Sequence, residues 1–269
     1  MNEIPNEPSL EERFSFGKNW EKFINDNFSE ERISGSLKAF TEFTKLETLN
    51  GLSVIDVGCG SGLHSLVFSR MNAKSLYSFD FDPKSVAITQ SLKKYSDLNS
   101  WEVRQASILD EELMQSLGKF DFVYSWGVLH HTGSVWKAIT NTCELVNPKG
   151  QLFIALYSRD VQPKADYWLK IKKRYVSSSA PVKFFMELRY LIRYQLIPSV
   201  ISFNFKSLKK RSSRARGMDL MTDVRDWLGG WPMEFVYDQE VINYVEAKGF
   251  KLKKISTGEA CTEFLFDKI

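Results

Sequence analysis

Val54-Ile55-Asp56-Val57-Gly58-Cys59-Gly60-Ser61-Gly62 puts a β-branched run, an acid and three glycines spaced two apart into one short segment. Glycines let a backbone approach a ligand closely, and a helix opening behind them aims free N–H groups at that ligand, so the segment is suited to cradling a nucleotide-like group. Spacing selects among such groups. A dinucleotide loop of the G-x-G-x-x-G kind needs a third small residue at position 63, where Leu63 stands, the third glycine falling instead at Gly62. Roughly 20 residues on, Ser78-Phe79-Asp80-Phe81-Asp82-Pro83 offers two carboxylates. Asp80 is placed to accept from both hydroxyls of a ribose through charge-assisted bonds, whereas Asp82, directly before Pro83, suits a helix N-cap. The remaining reactive cluster is Gly127-Val128-Leu129-His130-His131-Thr132. Histidine titrates near neutrality and can take the proton of a reacting hydroxyl. The third histidine, His64, follows the glycine loop, where it either packs or faces solvent.

These groups need elements to hold them. Between about residues 50 and 157, β-rich runs alternate with helical patterns, which predicts a parallel sheet covered by helices on both faces and joined by right-handed crossovers. Strands are expected over 53–57, 76–79, 101–105, 120–125 and 151–156, and helices over 62–71, 83–95 and 134–145, the last closed by the turn Asn147-Pro148-Lys149-Gly150. A helix over 238–248 and two strands, 250–256 and 262–266, complete the chain as a hairpin that adds an antiparallel edge. Residues 1–50 read as helical, with Phe14, Phe16, Trp20, Phe23, Ile24 and Phe28 near helical spacing. They form either a lid or an amphipathic layer packed on the sheet. From 160 to 236 the chain departs from the alternation. Aromatic and aliphatic residues interleave there with arginines from Lys183 onward, and Gly217 to Pro232 reads as a helix end and a turn. Four regions result: a lid (1–50), a binding core (51–159), a cap insertion (160–236) and a closing helix and hairpin (237–269).

Asp56-x-Gly58-x-Gly60-x-Gly62 resembles motif I of the class I S-adenosylmethionine-dependent methyltransferases. Three further motifs follow in that family's order: Asp80 at the end of the second strand, Gly-Val-Leu-His-His-Thr after an Asp-x-Val strand, and Asn147 to Leu152, similar to the family's third motif. The resemblance covers roughly residues 50–157 and is nearest to small-molecule methyltransferases of the ubiquinone-biosynthesis type. It implies an α/β fold, a Rossmann-like doubly wound sheet of seven strands, mostly parallel with an antiparallel last strand, carrying an N-terminal helical lid and a helical cap. The implied cofactor is S-adenosylmethionine, released as S-adenosylhomocysteine, with no metal. Asp56, Gly58, Cys59, Gly60, Gly62, Asp80, Phe81, Trp126 and Leu129 are the implied cofactor contacts. Ser107 stands where the family usually has an acidic or polar residue for the adenine amino group, and Ile108 beside it supplies apolar contact. Phe16 and Trp20 would close the lid. His130 or His131 would be the base for an acceptor hydroxyl, His130 being placed ahead because it matches a base position in some relatives. Tyr157 and Arg159, just past the fifth strand, and Trp227 from the insertion are the expected substrate contacts.

Composition narrows the partners. Between residues 161 and 217, 14 Lys and Arg accompany only Asp166 and Glu187, a local charge of +12 in a chain whose total is +3. Such a basic block favours an anionic partner, whether a small anionic or lipid-linked acceptor, a membrane surface met peripherally or nucleic acid, unless the charges are merely solvated helix faces. Three scattered cysteines, no metal-ligand spacing, no spanning apolar run and no signal-like N-terminus lead us to expect a soluble cytoplasmic enzyme with reduced thiols. Methylation of a small molecule, sugar or lipid-linked acceptor at oxygen is the leading function. A nucleic-acid methyltransferase is the alternative, disfavoured because Trp126-Gly127-Val128-Leu129 replaces the Asn/Asp-Pro-Pro-Tyr/Phe tetrapeptide. A non-catalytic protein that binds S-adenosylmethionine is the third.

Overall fold

The computed structural model describes residues 17, 20, 24, 28–162, 164–196, 220–258 and 261–269. Seven strands form one sheet: β1 (Ser53–Val57), β2 (Ser75–Asp80), β3 (Trp101–Gln105), β4 (Phe120–Trp126), β5 (Val146–Tyr157), β6 (Phe250–Thr257) and β7 (Cys261–Lys268). Their order is β3-β2-β1-β4-β5-β7-β6, with β1 to β5 parallel and β7 antiparallel to both β5 and β6. Strand order reverses at β1, between β2 and β4. In a sheet of this kind the crevice outside the carboxyl ends of those strands is where ligands bind.

Burial explains the placement of the last two strands. In β7, Phe264, Leu265 and Phe266 are all buried, which suits an interior position covered on both faces. β6 instead reads Phe-Lys-Leu-Lys-Lys-Ile-Ser-Thr, mostly exposed, and its lysines guard an open edge against further pairing. The expected antiparallel last strand is thus β7, inserted between β5 and the edge strand β6, which runs parallel to β5.

A correction concerns residues 147–150. They do not end a helix before a separate strand. They belong to β5, whose register against β4 jumps from Phe120↔Val146 to Phe122↔Gln151, so the proline and glycine make a bulge.

Helices α1 (Glu30–Thr44), α2 (Leu63–Arg70), α3 (Pro83–Leu92), α4 (Glu111–Ser116) and α5 (Val135–Glu144) cover this part of the sheet. Asp82 caps α3 by accepting the Lys84 N–H, with Pro83 in the first turn. α1 packs Phe40 and Phe43 against Phe68, Phe122 and Phe153, the amphipathic alternative for that part of the N-terminal region. Gly17 and Trp20 behave differently: the Gly17 N–H donates to Asp82 Oδ2 at 2.9 Å, which brings this segment to the carboxyl end of β2.

The insertion supplies α6 (Ala165–Ser177), α7 (Ala180–Tyr190), continued as π turns over Leu191–Leu196, and α8 (Leu220–Gly229). The stretch expected to hold only a helix end and a turn thus holds a helix of 10 residues before the bend at Trp231. Trp168, Tyr175, Val224, Leu228, Met233 and Phe235 form one apolar cluster with Ala155 and Tyr157 of β5. Buried Glu187 ties the three helices together, accepting Tyr175 Oη–H at 2.6 Å and pairing with Arg225. A last helix, α9 (Asp238–Glu246), leads into β6.

Candidate active site

A cavity opens at the carboxyl ends of β1, β2 and β4, between the glycine loop and the segment 231–232. Gly58 (φ +75°) and Gly60 (φ +54°) both adopt the left-handed region. A Cβ on Gly58 would lie 2.3 Å from Val128 Cγ1, and one on Gly60 would lie 3.2 Å from Trp20 Nε1. The loop is pinned by the Gly58 and Cys59 N–H groups, which donate to the Phe79 carbonyl at 2.8 and 2.9 Å. Cys59 Sγ is 3.3 Å from Thr89 Oγ1, and burial holds its thiol well above the usual range. Gly62 does not reach the cavity. It caps α2 with φ +74°, and a Cβ there would meet Thr89 of α3 at 2.7 Å, so its smallness serves helix packing.

Asp80 sits on the cavity wall with its carboxylate braced by backbone, Oδ2 accepting from Gly60 N at 2.8 Å and Oδ1 from Asp82 N at 2.9 Å. One strand away, Asp56 is 2% exposed and also lines the cavity. Its partners form a directed chain. Trp101 Nε1–H can only donate, and does so to Ser78 Oγ at 3.0 Å; Ser78 lies 2.9 Å from Ser65 Oγ; Ser65 donates to Asp56 Oδ2 at 2.5 Å. With a donor-only group at one end and an acceptor at the other, each hydroxyl must donate toward Asp56. Burial outweighs that hydrogen bond and pushes the Asp56 carboxyl up to about 7. Between pH 3.8 and about 7 the folded protein therefore holds a proton that the unfolded chain has released, and this group's contribution to stability falls as pH rises through that window. Asp56→Asn is expected to raise the melting temperature at pH 8 by several degrees and to lose that gain at pH 4. Equal shifts at both pH values would contradict it.

The far side of the cavity is aromatic, with Tyr124, Trp126, Tyr157 and Trp231 alongside His64, His131, Pro232 and Cys261. Trp126 is oriented by its Nε1–H bond to Glu263 at 2.7 Å. His131 Nδ1 lies 2.7 Å from the Pro232 carbonyl. A carbonyl only accepts, so Nδ1 carries the proton and Nε2 of the neutral ring holds the basic lone pair. The segment providing that carbonyl is fastened by Glu234, whose N–H donates to His130 O at 2.8 Å and whose carboxylate accepts Val135 N–H at 2.8 Å at the start of α5.

Most of the expected residues converge here: Trp20, Asp56, Gly58, Cys59, Gly60, Asp80, Phe81, Ser107, Ile108, Trp126, His131 and Tyr157 all line the cavity. Others do not. His130, the histidine placed ahead, is fully buried behind Tyr157, its ring 4.1 Å from the tyrosine ring and its Nδ1 accepting Tyr157 N–H at 3.3 Å. The short helical turn over Leu129–His131 sends adjacent side chains in different directions, so only the second histidine meets the cavity. Leu129 is likewise fully buried, in the hydrophobic core. Arg159 is turned away to the Phe235 carbonyl and Asp166. Trp227 packs inside the insertion, with Lys172 Nζ 4.3 Å from its ring centre. Phe16 lies outside the described residues.

Ser36, His64, Trp231, Pro232 and Cys261 escaped the sequence analysis as site residues. His64 packs on Tyr124, 5.1 Å between ring centres, and desolvation lowers its pKa to about 4, so it is neutral at pH 7. Cys261 reaches the cavity through its pairing with Tyr157 across β5 and β7, which only the register reveals. Pro232, beside Trp231 in a Gly-Gly-Trp-Pro bend, carried a local signal that its chain position did not connect to the site. Among the described residues, no group of three or more His, Cys, Asp or Glu side chains is gathered as a metal site. None of their helices is long and apolar enough to cross a membrane.

Comparison with known proteins agrees with this geometry. A family model described as "Methyltransferase domain" matches residues 27–252. The ubiquinone biosynthesis O-methyltransferase of Rhizobium etli is 32% identical over 117 residues, 44% of this chain and 46% of the relative. That of Agrobacterium fabrum is 29% identical over 117 residues, again 44% of this chain and 45% of the relative, so the match spans less than half of each. Among solved structures, the magnesium protoporphyrin IX methyltransferase of Synechocystis PCC 6803 with bound SAH superposes with a TM-score of 0.53 at 13% identity, covering 94% of both chains. The N-methyltransferase NodS of Bradyrhizobium japonicum WM9 gives 0.51 at 13% identity, over 94% of this chain and 98% of that one. With a family match across most of its length and the sheet order and glycine loop that go with it, the chain belongs to the methyltransferase-domain family, of the class I S-adenosylmethionine-dependent type.

Proposed function

We propose that this chain binds S-adenosylmethionine in the cavity and methylates an oxygen of a small-molecule acceptor, with His131 as the base. One observation carries it: a single cavity joins a braced carboxylate and a glycine loop to a histidine whose tautomer is fixed. Gly58 and Gly60 carry the positive-φ turn of the loop along the cavity wall, with Val128 and Trp20 packed where their side chains would be. Asp80 is the carboxylate suited to accept from ribose hydroxyls, and Ser107 and Ile108 flank an adenine position. Cys59 and Asp56 complete that wall, and Trp20 lies over the loop to exclude water. S-adenosylmethionine, when bound, supplies a methyl group already activated by its sulfonium. The protein's task is then to orient the acceptor, keep water out and remove one proton, which His131 Nε2 is suited to do as the acceptor oxygen reacts.

The relatives' printed names support oxygen as the methylated atom. Tyr157, Trp231 and Trp126 give the acceptor end an aromatic lining, and no described Lys or Arg lines the cavity. An anionic part of the acceptor would therefore have to lie outside it, toward the basic insertion. In this scheme residues 51–159 and 237–269 form the binding core, 1–50 the lid and 160–236 the substrate cap. Cys59 and Cys143 are buried thiols, which fits a reducing, cytoplasmic setting.

Incubation with methyl-labelled S-adenosylmethionine and separate pools of small hydroxylated aromatics, lipid-linked hydroxyl compounds, RNA and DNA is the test. Label is expected in a small-molecule or lipid pool. Label confined to nucleic acid would support the alternative instead, and tight binding with no transfer to any pool would leave a binding protein.

A further inference from the structure

We propose that the outer face of α7 docks on an anionic lipid bilayer. The inner face of this helix is committed to the protein through Glu187, bonded to Tyr175 and Arg225, with Met186 and Tyr190 packed into the cap cluster. The opposite face is apolar and open. Pro181, Phe184, Phe185, Leu188 and Ile192 recur at helical spacing, and Phe184 is 60% and Phe185 66% exposed. Isolated exposed apolar residues are ordinary, but a contiguous stripe with two adjacent aromatic rings marks an interaction surface.

Charge decides the occupant. Arg189 and Arg193 border the stripe, both exposed, in the region where 14 basic residues accompany two acids. A second copy laid on this face would oppose one basic surface to another, which like-charge repulsion disfavours. An anionic bilayer satisfies both features together: the rings and aliphatic tips enter the boundary between headgroups and acyl chains while the guanidinium groups meet lipid phosphates. α7 is far too short to span a bilayer, so the contact is peripheral. The docking is independent of what the cavity binds.

Co-sedimentation of the full chain with phosphatidylcholine vesicles, with or without phosphatidylglycerol, tests it. The protein is expected to pellet with phosphatidylglycerol-containing vesicles, less so as salt rises, and to remain in solution with phosphatidylcholine alone. Phe184→Ser/Phe185→Ser should lower the partition coefficient about tenfold or more, and Arg189→Gln/Arg193→Gln should weaken only the anionic-lipid component. Both variants alter exposed side chains, so an unchanged melting temperature and unchanged S-adenosylmethionine binding verify that the fold and cavity persist. No pelleting with anionic vesicles overturns the proposal. So does pelleting indifferent to the phenylalanine changes, or a dimer in lipid-free sedimentation equilibrium that those changes dissolve. Should the unaltered protein fail to bind S-adenosylmethionine, the cavity assignment falls while the vesicle result stands.

Discussion

Asp80→Ala is expected to weaken S-adenosylmethionine binding by about 100-fold or more. Hydrogen bonds to a charged acceptor contribute about 1.5–3 kcal/mol each, and two ribose hydroxyls served by one carboxylate would together lose about 3–6 kcal/mol. The substitution does further harm. It strips the acceptors from the Gly60 and Asp82 N–H groups, and so loosens the loop that has to meet the ligand. Asp80→Asn separates these losses, since an amide retains one acceptor oxygen but turns a donor toward a backbone N–H; its affinity should fall between those of wild type and Asp80→Ala. Gly58→Val reaches the same end by a different route. Its Cβ would sit 2.3 Å from Val128 Cγ1, at φ +75°, which a β-branched residue avoids, so the loop must shift or the cavity must fill. Isothermal calorimetry reads all three variants. Undiminished affinity in both Asp80→Ala and Gly58→Val would remove the cofactor assignment for this cavity.

His131→Ala should lower kcat by about 10²–10⁴, the usual contribution of a positioned base, while S-adenosylmethionine affinity is retained. The reason lies in the Pro232 carbonyl, which fixes the proton on Nδ1 and leaves Nε2 basic. The same variant should lose the acid limb of the kcat–pH profile, a readout that a purely structural histidine would leave in place. Added imidazole should restore part of the activity. His130→Ala makes the contrast: the residue is fully buried with its ring 4.1 Å from that of Tyr157, so its loss should lower the melting temperature and disturb the wall on which Tyr157 sits. Turnover by His131→Ala within a few-fold of wild type across pH would exclude it as the base.

Much of this fold was legible in the sequence. Each of the seven strands was expected near its observed position, because both-face burial in β1 and β4 produces β-branched and aromatic runs that the intervening helices interrupt. Asp80 and Asp82 were separable for a local reason. Proline after Asp82 makes it the natural cap, and Asp82 does cap α3, while Asp80 lines the cavity. The errors were of another kind. The turn 147–150 was read as an end because proline and glycine usually punctuate, yet a bulge accommodates them within β5. Arg159 follows β5 as a ligand contact would, but Phe235 and Asp166 claim its guanidinium.

What the sequence alone determined is whatever rests on neighbours in the chain: positive-φ glycines after a strand, an N-cap before proline, strand and helix periods, and the basic character of residues 161–217. What tertiary structure decided rests on partners far apart. His131 rather than His130 faces the cavity because the chain returns 101 residues later to place the Pro232 carbonyl at its ring. Cys261 enters the wall because β7 inserts opposite Tyr157. Local conformation follows from steric and hydrogen-bonding preferences of a few adjacent residues, whereas which side chain meets a cavity depends on register and packing summed over the whole sheet.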